Sequence, residues 1–90
     1  MKKLEAAILK FTDWSHPWKF YTFICDDKEL STFEIELFNR IWTEANDSKI
    51  WSNVDLVLAS QTSHTYTMQH FNLTDEAVSS IVRAISYDWK

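Results

Sequence analysis

"WKFYTFIC", residues 18–25, decides how this chain is read. Aromatic and β-branched residues dominate the stretch, and that composition predicts a β-strand. Side chains on a strand alternate between two faces. Trp18, Phe20 and Ile24 then share one face, and Tyr21, Phe23 and Cys25 share the other. Both faces are apolar, yet a sheet under a single layer of helices covers only one of them. Trp14, in the loop around Pro17, adds another large ring. Either that loop closes over the second face, or the face receives another chain. The second reading weighs more, because large exposed apolar patches mark interfaces and Trp and Tyr are typical anchors.

Upstream, "KLEAAILKF" (3–11) reads as a first strand, although Leu4, Glu5 and two alanines also suit a helix. Residues 12–17 form a loop, with His16 biased to extended geometry by the following proline. Downstream, Ser31 and Glu34 fit a capping box, and Leu30 with Ile35 fits a hydrophobic staple. Phe33, Leu37, Phe38, Ile41, Trp42 and Ala45 continue at helical spacing to a stop at Asn46, in the left-handed position asparagine tolerates. "VDLVLAS" (54–60) predicts a third strand, "QTSH" a turn, and "TYTMQHF" (65–71) a fourth strand. Thr74 then caps a second helix, whose apolar stripe is Ala77, Val78, Ile81, Val82, Ile85 and Trp89.

The predicted order is ββαββα. It implies an α+β domain over residues 1–90: a four-stranded, mainly antiparallel sheet with two helices on one face. A permuted ferredoxin-like arrangement has this order. A faint echo at an offset of 43 lays Leu30 on Leu73, Ser31 on Thr74 and Arg40 on Arg83, and suggests a duplicated strand-then-helix unit.

Composition narrows the function. The chain has no glycine, and phosphate-cradling loops, dinucleotide fingerprints and nucleophile elbows all use glycine where the backbone turns sharply. Net charge is −4 and the nine basic residues are scattered, which argues against free nucleic acid as a partner. One cysteine, Cys25, excludes an internal disulfide and suits a reducing cytoplasm. Glu5 and Lys10 interrupt the N-terminal apolar run, so neither a signal peptide nor a membrane span is expected.

Catalytic signals are weak. His64 and His70, placed on one strand, would stand ~20 Å apart, too far to share a metal. Asp26 and Asp27 would point oppositely. Asp13, Ser15 and His16 lie too close in sequence to form a triad without a scaffold and read as a loop hydrogen-bond cluster. No cofactor is expected.

The expected function is that of a small, acidic, non-enzymatic protein-interaction module in the cytoplasm. By size and charge it resembles inhibitors, immunity proteins and phage-encoded antagonists. Its expected partner-binding residues are Trp14, Trp18, Tyr21 and Phe23, with Asp26, Asp27 and Glu29 as an acidic rim facing a basic partner, and Trp42 at the edge of the first helix. Two other readings stand beside it: a homo-oligomer joined through the open sheet face with a small ligand between protomers, and a small metal-dependent enzyme.

Overall fold

Residues 18–25 are helical, not extended, and that overturns the predicted sheet. The structure, a computed structural model, describes residues 1–52 and 54–90. Six α-helices and one 3-10 turn account for its regular structure, and no strand occurs among the described residues. The helices are α1 (Lys2–Lys10), α2 (Phe20–Cys25), α3 (Thr32–Ala45), α4 (Ser48–Trp51), α5 (Leu56–His70) and α6 (Asp75–Asp88), and the 3-10 turn spans Pro17–Lys19. The α+β class, the ββαββα order and the ferredoxin-like arrangement are therefore all incorrect.

Local chemistry explains each helix. In α1, Leu4, Ala7 and Ile8, continued by Phe11, are buried at positions i, i+3, i+4 and i+7, the stripe of an amphipathic helix. Pro17 opens the 3-10 turn, where its missing N–H is no loss. Beyond it, Phe20 and Ile24 are both fully buried; this four-residue step is a helical period, and it replaces the two-residue alternation of a strand.

The α3 start matches the sequence reading. Ser31 N–H donates to Glu34 Oε1 at 2.8 Å, and Glu34 N–H donates to Ser31 Oγ at 3.1 Å. The bond from the Ser31 backbone, above all, holds the Glu34 carboxyl below its usual range. Asn46 does end α3, but at φ −101° it is not left-handed. Its amide oxygen accepts from Trp89 Nε1 at 2.6 Å.

Helix α5 runs without a break through the predicted third strand, turn and fourth strand. Asp55 caps it by accepting from Leu58 N–H at 2.9 Å. Its inner face is Ala59, Ser63 and Thr67, all fully buried at four-residue steps. Such small residues let α5 lie close against α6. The Ser63 hydroxyl donates to Ala45 O at 2.7 Å, while the Thr67 hydroxyl has no partner among the described residues. On the α3 side, Tyr66 OH donates to Glu44 Oε1 at 2.6 Å, and Arg40 Nε donates to Glu44 Oε2 at 2.9 Å. The Tyr66 bond first, then Arg40, keeps the Glu44 carboxyl low.

Helix α6 is the central element, packed against α1, α3, α5 and the 3-10 turn. Ala77, Val78, Ile81, Val82, Ala84 and Ile85 are its buried residues. Thr74 Oγ1 caps it on Ala77 N–H at 3.2 Å, and Thr74 N–H donates to Glu5 Oε2 at 2.7 Å, tying α6 to α1. The 43-residue echo therefore survives at the capped starts of α3 and α6, but the elements before them, 6-residue α2 and 15-residue α5, are unlike. The accessible surface, 5584 Å², equals the ~5,500 Å² expected for a folded monomer of this mass. No helix among the described residues is long and apolar enough to cross a membrane.

Candidate functional site

The ring cluster of residues 14–23 is divided by α2 into an inner and an outer set. Phe20 is the inner hub. Its ring centroid lies 5.3 Å from Phe11, 5.8 Å from Trp14, 5.9 Å from Trp42 and 6.2 Å from Phe38. Trp14 is half-buried, with its ring edge-on to Phe11 at 5.0 Å. The Arg83 guanidinium sits 4.2 Å from the Trp14 ring centroid, a cation–π contact. Trp42 is likewise half-buried, packed against Phe20, Tyr21 and Phe38. Trp14 and Trp42 are thus packed against the core, Trp14 on Phe11 and Phe20 and Trp42 on Phe20 and Phe38, and both lie outside the depression lined by Trp18 and Phe23.

The outer set follows the helix period. Trp18, Thr22 and Asp26 succeed one another at four-residue steps, and Lys19, Phe23 and Asp27 run beside them. These two rows, with Lys10 from the end of α1, line an open depression of about 770 Å³. Trp18 is 65% exposed and Phe23 41% exposed. The Trp18 ring meets His16 edge-on at 5.2 Å, and His16 Nδ1 lies 2.9 Å from Asp13 Oδ1. Phe23 meets Phe11 edge-on at 5.4 Å. One edge of each ring is therefore fixed while much of each remains in water.

Of the residues expected to bind a partner, the structure brings Trp18, Phe23, Asp26 and Asp27 to this depression. Tyr21 lies at the boundary of core and surface, with its hydroxyl donating to Asn39 Oδ1. Burial, and then the Cys25 thiol beside it, push its phenol above the usual tyrosine range. Glu29 is exposed and its carboxylate stands 3.7 Å from Lys10 Nζ. Asp27 Oδ1 accepts from Glu29 N–H at 2.9 Å. The rim is accordingly mixed in sign: Lys10 and Lys19 stand with Asp26 and Asp27 around the rings.

The predicted metal geometry also changes. His64 and His70 lie on one helix, six residues and so ~9 Å of rise apart. His64 Nε2 is 2.7 Å from Asp75 Oδ1, and His70 stacks on Tyr66 with centroids 3.9 Å apart. No group of three His, Cys, Asp or Glu side chains that could hold a metal ion occurs among the described residues.

Sequence reasoning missed two features. Lys10 and Lys19 were not counted at the site, although strand alternation itself sets Lys19 on the face of Tyr21 and Phe23. Phe33, at the start of α3, was placed in the helix's apolar series but not among the partner-binding residues, and it is 72% exposed. Helical phase along 18–27 was the signal for the first. Comparison with protein families, curated proteins and solved structures returned no match to this chain.

Proposed function

We propose that this chain is a non-enzymatic protein-interaction module that binds another protein at the Trp18–Phe23 depression. One observation carries the reading: Trp18, in the 3-10 turn, and Phe23, on α2, stand 65% and 41% exposed beside four charged side chains, while Phe20 and Ile24 on the other side of α2 are fully buried. Exposed aromatic area supplies the desolvation gain of an interface, and flanking charges supply register. Lys10 and Lys19 complement acidic groups of the partner, and Asp26 and Asp27 its basic groups. Such a module acts by occupying its partner's surface, as an inhibitor does. The lone thiol Cys25 favours a reducing, cytoplasmic setting.

Capture from extracts of the source cells tests this. The wild-type chain should retain a specific protein that the Trp18→Ala/Phe23→Ala variant loses, with affinity reduced at least ~30-fold, about 2 kcal/mol. Equal retention by both chains, or nothing retained by the wild type, would contradict the assignment.

A further inference from the structure

A groove of about 410 Å³ between α5 and α6 stands apart from the Trp18–Phe23 depression. Its walls carry three pairs of residues at four-residue steps: Ser60 with His64 and Gln61 with Thr65 on α5, and Ser79 with Arg83 on α6. Residues so spaced share one helix face. Among the described residues, no carboxylate lines the groove.

Arg83 gives the groove its charge. The chain has two arginines, and they are placed differently. Arg40 donates to Glu44 Oε2 at 2.9 Å. Among the described residues the Arg83 guanidinium has no carboxylate partner and rests on the Trp14 ring instead, 4.2 Å from its centroid. A ring contact steadies the guanidinium plane and leaves its N–H donors unused. The hydroxyls of Ser60, Thr65 and Ser79 also lack a partner among the described residues, whereas the buried Ser63 hydroxyl donates to Ala45 O. Asp75 is the acid that borders this region. Its Oδ1 lies 2.7 Å from His64 Nε2, and it precedes Arg83 by eight residues, ~12 Å along the helix.

We propose that this groove binds a small phosphate-bearing anion, with phosphate oxygens on Arg83 and the Ser79 hydroxyl and the rest of the ligand along Ser60, Gln61 and Thr65. The donor set suits a tetrahedral oxyanion. The guanidinium fork holds two oxygens, and hydroxyls reach the others from different directions. Side chains do this work, so the absence of glycine is no obstacle. The net charge of −4 repels anions at long range. Binding therefore rests on these local contacts and is modest, with a dissociation constant on the order of 1 mM. The same chemistry arrives as free inorganic phosphate or as a phosphate monoester. A groove of this volume, in the range of small-molecule sites, favours the monoester.

Amide NMR titration at constant ionic strength, from about 0.1 to about 30 mM ligand, spans that constant. Inorganic phosphate and glycerol phosphate are the probes, and acetate is the control. Signals of Ser60, Gln61, Thr65, Ser79 and Arg83 should shift and saturate with the probes, and acetate should bind at least ~10-fold more weakly. Tighter binding of glycerol phosphate than of phosphate assigns the site to a monoester, and equal binding assigns it to the free ion. Arg83→Gln should weaken binding at least ~10-fold. That variant also releases Trp14, so Ser79→Asp is the second test. It keeps Arg83 on its ring and sets a carboxylate one turn away, and should abolish the saturable shifts. No saturable shift with either probe, an equal response to acetate, or binding unchanged in either variant would overturn the proposal.

Discussion

Phe20→Ala should lose about 3–5 kcal/mol of folding stability, the cost of deleting a buried phenyl ring and leaving a cavity. A 90-residue domain has only roughly 5–13 kcal/mol in total, so much of the population should unfold on mild heating. The magnitude follows from the site. Phe20 is fully buried and touches the rings of Phe11, just past α1, of Trp14 in the following loop and of Phe38 in α3. Few neighbours can move in, because Phe11, Trp14, Phe38 and Trp42 are each held by other contacts. Urea unfolding followed by circular dichroism measures the loss. A loss below about 1 kcal/mol would mean that Phe20 is not the hub.

Trp51→Ala should cost a similar ~3–5 kcal/mol, for a different reason. Helix α4 is four residues long and cannot stand alone. Trp51, 2% exposed, anchors it, and its Nε1 donates to Ala45 O at 2.8 Å. Ser63 donates to the same carbonyl from α5, so one acceptor at the end of α3 gathers α4 and α5. Trp51→Phe keeps most of the apolar area and loses one donor, and should cost nearer ~1 kcal/mol beyond the small change in volume. The same urea experiment separates the two variants. Equal losses would show that the indole N–H, not the ring, is what matters.

The helix starts at Ser31 and Thr74 were readable because capping is a local device: the residues that make it are adjacent in sequence. The α6 stripe was readable from Ala77 to Ile85 because its apolar spacing is unambiguous, but Trp89, expected to continue it, lies past the helix end and is exposed, and the buried Ala84 was not on it. The strands failed for separable reasons. Residues 3–11 hold Leu4, Ala7, Ile8 and Phe11 at a helical period, but two of those four positions share their type or size with neighbours that alternate equally well. Residues 18–25 have high β-propensity, and burial of Ile24 and of Phe20 against Phe11, Phe38 and Trp42 overrides it, since β-propensity mostly reports packing on a pleated surface. Residues 56–70 hid their helix more deeply. Their buried face is Ala59, Ser63 and Thr67, which no hydrophobic pattern marks, while Val57, Leu58 and Met68 point outward.

The candidate site was legible in part for the same reason. An excess of rings for one small interior could be counted directly. Which rings would be left over depended on the period. A strand put Trp18 with Phe20, whereas the helix puts them on opposite sides and pairs Trp18 with Thr22, Asp26 and Lys19. Trp14 and Trp42 could be assigned to the core only once Arg83 and Phe20 were seen against them.

The central claim is that the 3-10 turn and α2 together keep Phe20 for the fold and leave Trp18 to a partner. Urea denaturation of Trp18→Ala tests it most directly. Stability within about 0.5 kcal/mol of the wild type is the expected result, as for a surface ring. A loss of about 2 kcal/mol or more would return Trp18 to the structural core and contradict the account.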